Sequence, residues 1–411
     1  MRKALLMNRL NDYRKVTAAL ELPKTSRAWQ LYGAGLENLR LDTLPMPEPR
    51  DDELLVRIDA VGVCASDWKM IAQGESHARM RGCDLANHPT VPGHEVSLTA
   101  VRIGKKLRRK YKVGQRFSIQ AEIYLKGENI AYGYKMRGAD QQYQTIGPDV
   151  YANGYLLPVS PRLGYAQAAL AEPWACVYHA YHNHRRTHSV LKGGTAWYVG
   201  AGPLGLMHIE KGINDGAATV IVSEMRADRL EKVERSLRPL AERKKVRLVT
   251  VDLSKEPIDK HLAKRGADDI LVLAPVAKAA EAALEYLAKN GYFNMFAGFE
   301  SRERAWMQLN LNDMHYGQWT MIATSGSPIE ALRKALDDAA AGRIDPNNAV
   351  ACIGGIDAVR DAVHHTHEGT YPGRIVIYPQ IEMPLAPVEQ LTPDGRWTNK
   401  AEEALLAERL R

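Results

Sequence analysis

Residues 195–209 read T-A-W-Y-V-G-A-G-P-L-G-L-M-H-I, and the rest of the chain is organised around them. A β-rich run, Thr195 to Val199, enters a turn carrying Gly200, Gly202 and Gly205, and an apolar helical pattern opens at Pro203-Leu204. Strand, glycine turn and helix in that order are what a dinucleotide-binding βαβ unit needs. The first glycine permits the tight turn, the second lets the backbone approach a pyrophosphate, and the third lets helix and strand pack closely, with the helix N-terminus facing the phosphate charge. A second strand, Ala218 to Ser223, ends at Glu224, nineteen positions after Gly205, where a carboxylate can hold the adenosine ribose hydroxyls. The competing reading is a plain strand–turn–helix without a ligand; three features in register weigh against it.

Working outward, the sequence predicts a doubly wound parallel sheet of six strands: the two above, then Val246–Val251, Asp269–Leu273, Tyr292–Ala297 and Trp319–Thr324, with a helix expected over Val276–Lys289. Upstream lies a β-rich region with long loops. Its strands are expected at Leu54–Val61, Val96–Ile103, Arg116–Ile123, Tyr143–Ile146 and Tyr155–Val159. A helical pattern begins at Tyr165, passes through Ala171–Cys176 and runs on to about Arg186. Downstream come a helix at Ile329–Ala341, mixed β and α to Pro379, and a tail that is helical over Lys400–Leu410. The expected domains are 1–175, 176–345 and 346–411, the first and last forming one catalytic domain into which the nucleotide domain is inserted. The cleft between them is the expected binding site.

At 411 residues the chain is long enough for two domains, and its 45% hydrophobic and 25% charged composition is that of a globular protein. No apolar run approaches a membrane span, and residues 1–26 lack a signal-peptide core, so no membrane role and a cytoplasmic location are expected. The net charge of +7 suits an anionic small substrate; the basic runs at 105–110 and 243–245 read as solvated faces rather than nucleic-acid contacts. Four separated cysteines, Cys64, Cys83, Cys176 and Cys352, argue against a disulfide framework and against a four-cysteine zinc knuckle.

Three short motifs carry ligand atoms: Cys64 beside Ser66 and Asp67 at a strand end, His94-Glu95 in P-G-H-E, and Glu172 before Pro173. Thiolate, imidazole and carboxylate are the donors of a catalytic zinc, which takes three protein ligands and keeps one position open. Each motif alone has a bland alternative: a buried cysteine, a turn ion pair, a helix cap. Beside a dinucleotide fold they read together.

The four segments G-V-C-A-S-D (62–67), P-G-H-E (92–95), A-E-P-W-A-C (171–176) and G-A-G-P-L-G (200–205) resemble, in order, those of the zinc-dependent medium-chain alcohol and polyol dehydrogenases. The resemblance covers about Ala28 to Pro379. It implies an α/β fold in which a β-rich GroES-like catalytic domain holds an inserted Rossmann domain. It implies one catalytic zinc on Cys64, His94 and either Glu95 or Glu172, with Ser66 as proton-relay hydroxyl and Asp67 as the carboxylate that orients a ligand. With no cysteine between Cys83 and Cys176, the family's structural zinc is not expected. A homodimer or homotetramer paired near Trp319–Thr324 is implied. The tail, together with 66–69, 86–95 and 314–326, is similar to the L-sorbose-1-phosphate reductase subfamily, which reduces a ketose phosphate.

The expected reaction is hydride transfer between a nicotinamide dinucleotide and a polyol or ketose. Glu224 favours NAD(H) over NADP(H), although Arg226 and Arg229 stand near; Arg229 is expected to pack over the adenine. Lys69, His88, Lys135 and Arg137 are the candidate phosphate contacts. His179, His182, His184 and His188 read as a helix and its exposed end rather than a second metal site, as do His364, His365 and His367. A dehydrogenase of a non-phosphorylated polyol or of threonine, and a non-catalytic dinucleotide sensor, are the alternatives.

Overall fold

The structure is a computed structural model that describes residues 9–184, 188–262, 264–299 and 301–410. The chain divides into two compact units, one taking the chain up to Pro173 and again from Pro328, the other Trp174–Ser327.

In the first unit the apolar run Leu54–Val63 is buried along its whole length and forms the axis of an eight-stranded sheet. Glu95–Ile103 pairs antiparallel to one side of it, followed by Arg116–Ile119 and Leu156–Pro158; Arg374–Tyr378, Val350–Gly355 and Ala386–Pro387 extend the other side, and Tyr143–Ile146 pairs with its first residues. The core is Leu54, Val56, Ile58, Val61, Val96, Leu98, Phe117, Ile375 and Ile377. Burying it contributes roughly 25 cal/mol for each Å² of apolar surface removed from water. The C-terminal return of the chain is therefore part of this sheet and not an appendage. The helix Ile329–Ala340 also falls in this unit, upstream of the expected resumption at 346.

The second unit is a six-stranded parallel sheet in the order Arg247–Asp252, Thr219–Glu224, Thr195–Val199, Ala267–Val272, Leu287–Met295, Thr320–Ala323. That is the 3-2-1-4-5-6 order of a doubly wound sheet. Its crossovers include the helices Pro203–Asp215 and Ala227–Lys244. The α/β class and the GroES-like plus Rossmann architecture thus hold.

Two local expectations fail. The helix expected to Lys289 stops at Leu284, because Ala267 N–H donates to Tyr286 O and Leu287 pairs with Ala267; sheet pairing overrides the helical propensity of that run. The helix from Ala171 ends at Ala180, and its expected end at Arg186 lies outside the described residues. Among the described residues no helix is long and apolar enough to cross a membrane.

Candidate metal centre and dinucleotide turn

The register of the central strand pair builds the donor group. Gly62 stands opposite Glu95 at the last rung of the ladder, so Cys64, just past the strand end at Val63, and His94, just before the start of the partner strand, come to the same end of the sheet. One ligand atom each from Cys64, His94 and Glu95 lie within 4.8 Å of one another. A side chain on Gly62 would collide with the Glu95 carboxylate and with Leu170, so only glycine leaves room for the glutamate here.

Asp67 organises the group. Cys64 is the N-cap of the helix Ala65–Gln73, and Asp67 in its first turn accepts the Cys64 backbone N–H at 2.9 Å. Its other oxygen lies 2.9 Å from His94 Nδ1. With the proton on Nδ1, Nε2 is left as the free donor atom, turned to the Cys64 side. Ser66 Oγ donates to Cys64 Sγ at 3.2 Å and sits 3.5 Å from His94 Nε2.

Glu95 is fully buried and pairs through Oε1 with Arg374, the first residue of the strand Arg374–Tyr378. Its second oxygen, Oε2, is buried with no hydrogen-bond partner among the described residues. A buried carboxylate oxygen without a donor is costly unless a cation completes it. The charges agree. With His94 neutral, the Cys64 thiolate, Asp67 and Glu95 face Arg374, which leaves two negative charges uncompensated, and a divalent cation matches that deficit. Protons are the other way to meet it, and the shifts run that way. Burial raises Glu172 to about 7, with the Cys64 charge adding to the effect and His94 opposing it. Burial lowers His94, but Asp67 outweighs it and holds the imidazole well above its usual range. Burial pushes the Cys64 thiol up, yet the hydrogen bond to His94 and the charges of Arg374 and His94 bring it down to about 6, the direction a ligand thiolate needs. A soft sulfur, an imidazole and a carboxylate in this arrangement fit zinc. Glu172 is buried and electrostatically coupled to the group but is not one of the three donors within 4.8 Å.

In the second unit Gly202 caps the helix Pro203–Asp215, with Pro203 at its first position and Leu204 next. Gly200 has φ +106°, and a Cβ on Gly205 would stand 2.7 Å from Gly200 O, so the turn needs both glycines. Glu224 ends its strand and ties the turn down: Oε2 accepts from Ala201 N at 3.1 Å and Arg229 Nη1 at 3.2 Å, Oε1 from Met225 N at 2.8 Å and Arg226 N at 3.2 Å. Burial raises the Glu224 carboxyl, but these donors outweigh it and keep it below its usual range. Arg229, expected over an adenine, is engaged by Glu224. Arg226 is paired with Asp228.

Of the candidate phosphate contacts, Lys135 is paired with Glu128 at 2.6 Å, Arg137 donates to Gln30 Oε1 at 3.1 Å, and His88 is exposed. Lys69 lies on the same helix as Ser66. The histidine run departs from expectation at one residue. His184 is buried, stacked on Tyr292 at 4.7 Å, and its Nδ1 faces Ser189 O at 3.1 Å, so the run does not end in solvent throughout. Sequence reasoning missed Arg374, whose only signal was a charged residue heading the apolar run R-I-V-I-Y, and Tyr134, whose ring lies 6.0 Å from His94.

The alcohol dehydrogenase GroES-like domain family matches residues 50–178. The chain is 30% identical to mannitol-1-phosphate 5-dehydrogenase of Aliivibrio fischeri over 86% of this chain and 87% of that one. It is 27% identical to L-sorbose 1-phosphate reductase of Klebsiella pneumoniae over 93% and 98% of the respective chains. An alcohol dehydrogenase of Thermotoga maritima superposes with a TM-score of 0.70 at 19% identity, covering 86% of this chain and all but 1% of that one, since 99% of it is matched. The chain belongs to the zinc-type medium-chain alcohol and polyol dehydrogenase family.

Proposed function

We propose that this protein is a zinc-dependent oxidoreductase that moves hydride between NAD(H) and a polyol or ketose carrying a phosphate. The observation that carries the reading is the buried group Cys64, His94 and Glu95 with one unpartnered carboxylate oxygen, in a chain whose relatives include proteins named for hexitol and ketose phosphates. Zinc, when bound, supplies Lewis-acid polarisation of the substrate oxygen, and the nicotinamide supplies or takes the hydride.

The chain's own residues do the rest. Cys64, His94 and Glu95 or Glu172 would hold the metal. Asp67 fixes the tautomer of His94. The Ser66 hydroxyl, which donates to Cys64 Sγ, would pass a proton to or from the substrate oxygen. Gly200, Gly202, Pro203, Leu204 and Gly205 form the turn that would take the pyrophosphate. The anionic Glu224 at the strand end disfavours a 2′-phosphate. We read the protein as cytoplasmic and as a homodimer or homotetramer. The edge strand Thr320–Ala323 and the exposed Trp306, Leu311 and Tyr316 support a self-associating face.

The test is an NADH-oxidation screen over ketose phosphates, their unphosphorylated ketoses and threonine-derived ketones, with a chelator arm. Chelator-sensitive turnover highest on a ketose phosphate supports the reading. Turnover that survives complete metal removal, or none on any carbonyl compound, overturns it.

A further inference from the structure

Within the first unit the hairpin of Thr25–Leu31 with Leu39–Pro45 and the strand Tyr143–Ile146 border a cavity of about 430 Å³. That volume falls in the range of small-molecule sites, about 300–1,000 Å³. The cavity is lined by the apolar Leu44, Pro45 and Met136 and by the polar Ser26, Arg137 and Thr145. No carboxylate is among its lining residues, and neither is Cys64, His94 or Glu95.

Arg137 is the one charged residue of this lining among the described residues, and it is half-buried. Its Nη1 donates to Gln30 Oε1 at 3.1 Å, and Gln30 is itself held, its Nε2 donating to Asp42 Oδ2 at 2.8 Å. The backbone is pinned as well: Gln144 Nε2 donates to Arg137 O and Gln141 Nε2 to Gly138 O, each at 2.6 Å. A guanidinium fixed through Nη1 keeps its other edge, the parallel Nε–H and Nη2–H, for a two-oxygen acceptor. Arg50, Arg226, Arg238 and Arg343 each grip a carboxylate by that same edge at 2.5–3.0 Å. Arg116 and Arg360, which hold no carboxylate, spend donors on backbone carbonyls. Among the described residues the Nε–Nη2 edge of Arg137 has neither. Burial lowers the Arg137 guanidinium from its ordinary range, with Tyr32 opposing, whereas hydrogen bonds to carboxylates raise Arg50, Arg226 and Arg238. A partly desolvated cation without a counter-ion is a standing electrostatic cost, relieved when an anion arrives.

The hydroxyls of the lining are also unspent. Ser26 is 4% exposed, and neither its Oγ nor Thr145 Oγ1 makes a hydrogen bond among the described residues. Buried hydroxyls normally have partners, and a polar ligand would supply them. We propose that this cavity binds a small organic anion, gripped through two oxygens of a carboxylate or phosphate group by the Nε–Nη2 edge of Arg137, with the Ser26 and Thr145 hydroxyls serving its other polar atoms and Leu44, Pro45 and Met136 its carbon body. The site is separate from the Cys64–His94–Glu95 group. It goes beyond the oxidoreductase reading and does not depend on it.

The experiment is calorimetric titration of the full zinc-loaded chain and of the variants R137A, R137K, T145E and H94A. The ligands are inorganic phosphate, glycerol 3-phosphate, butyrate and a hexonate, so that phosphates and carboxylates are compared directly. The tightest of the four is expected to bind once per chain with a Kd below about 1 mM. R137A should weaken it about 10–100-fold, and R137K, which keeps the charge but loses the fork, at least about fivefold. T145E, which brings a carboxylate into the cavity, should abolish binding, while H94A stays within about twofold of wild type. Where R137A fails to give a folded melting curve, R137K and T145E decide. No binding below about 10 mM in the wild type overturns the site, as do R137K and T145E both within about twofold of wild type. A loss in H94A equal to that in R137K would place the anion at the metal group, overturning this site and leaving the enzymatic reading standing. Binding as expected in a chain that turns over no carbonyl compound leaves this site standing and overturns the enzymatic reading alone.

Discussion

At the end of the strand Thr219–Glu224 both oxygens of the glutamate have donors, whereas at the start of Glu95–Ile103 one oxygen of Glu95 has none. The two acids mark the two regions that carry the chemistry. Around Glu224 every partner lies within residues 201–229, and the turn is complete from its own sequence. Around Glu95 the partners come from residues 64–67, from 172 and from Arg374, and their charges do not balance. The first region is a local construction that a nucleotide would join; the second is a long-range one that an ion would finish. The difference predicts that ligand removal is felt very unequally.

Metal removal should give the largest effect. Exhaustive chelation is expected to abolish turnover and to lower the melting temperature of the Leu54–Val63 sheet by several degrees, since an ion that binds only the folded chain stabilises it by about 3–4 kcal/mol at 100–1,000 times its Kd. Restoring zinc should restore both. Withdrawing NAD(H) should move the melt far less. Scanning calorimetry of the four states checks this; an equal response to metal and nucleotide would break the contrast between the two regions.

Cys64→Ser and His94→Ala attack the same group from within. Each is expected to lower kcat/KM at least about 10³-fold, while NADH affinity stays within about threefold, because the side-chain hydrogen bonds that tie down the glycine turn are made within residues 201–229 of its own unit. Fluorescence titration of NADH beside the kinetics separates the two. Full activity in either variant would sink the enzymatic account.

Glu402 tests whether the long-range region depends on the tail. The carboxylate is 1% exposed and accepts Tyr165 N–H at 2.7 Å, Ala166 N–H at 2.8 Å and the Tyr378 hydroxyl at 2.8 Å. It thereby caps Tyr165–Ala169, the helix that leads through Leu170, packed at Gly62, to Glu172. Glu402→Ala leaves buried donors without an acceptor and is expected to cost about 2–3 kcal/mol in stability, with Glu402→Gln costing less. Urea unfolding of the two variants measures it. A loss below about 0.5 kcal/mol would mean the tail is dispensable to this region.

The same contrast explains what the sequence could tell. The glycine turn, five of the six parallel strands and the motifs at 64, 94–95 and 172 were legible, because local periodicity and donor chemistry are written in short runs. That Cys64 and His94 share a site follows from the register ending at Gly62 and Glu95, which the motifs imply only through resemblance. Arg374 was not legible, since its place beside Glu95, 279 positions away in sequence, depends on which strand pairs with Leu54–Val63. Tyr134 sits in an irregular loop where no period operates. Leu287–Met295 was partly misread because a helix-forming run was taken into the sheet.

The smallest effect should come from Glu224→Ser, which asks whether the completed turn discriminates or merely holds itself together. Removing the carboxylate takes the acceptor from Ala201 N–H and Met225 N–H and releases the Arg229 guanidinium, now 3.2 Å from it. The loss of self-bracing alone would weaken NADH and NADPH together, through a looser turn. Discrimination adds two further terms of the same sign. A negative group that repels a 2′-phosphate disappears, and Arg229 becomes free to pair with that phosphate, a charge-assisted contact worth about 1.5–3 kcal/mol. The expected outcome is therefore a rise of about tenfold in KM for NADH with KM for NADPH unchanged or lower, and the double variant with Arg229→Ala should cancel the NADPH gain while keeping the NADH loss. A parallel rise for both nucleotides would instead mean that Glu224 braces the turn and nothing more, and cofactor choice would then have to be sought in other residues of the second unit.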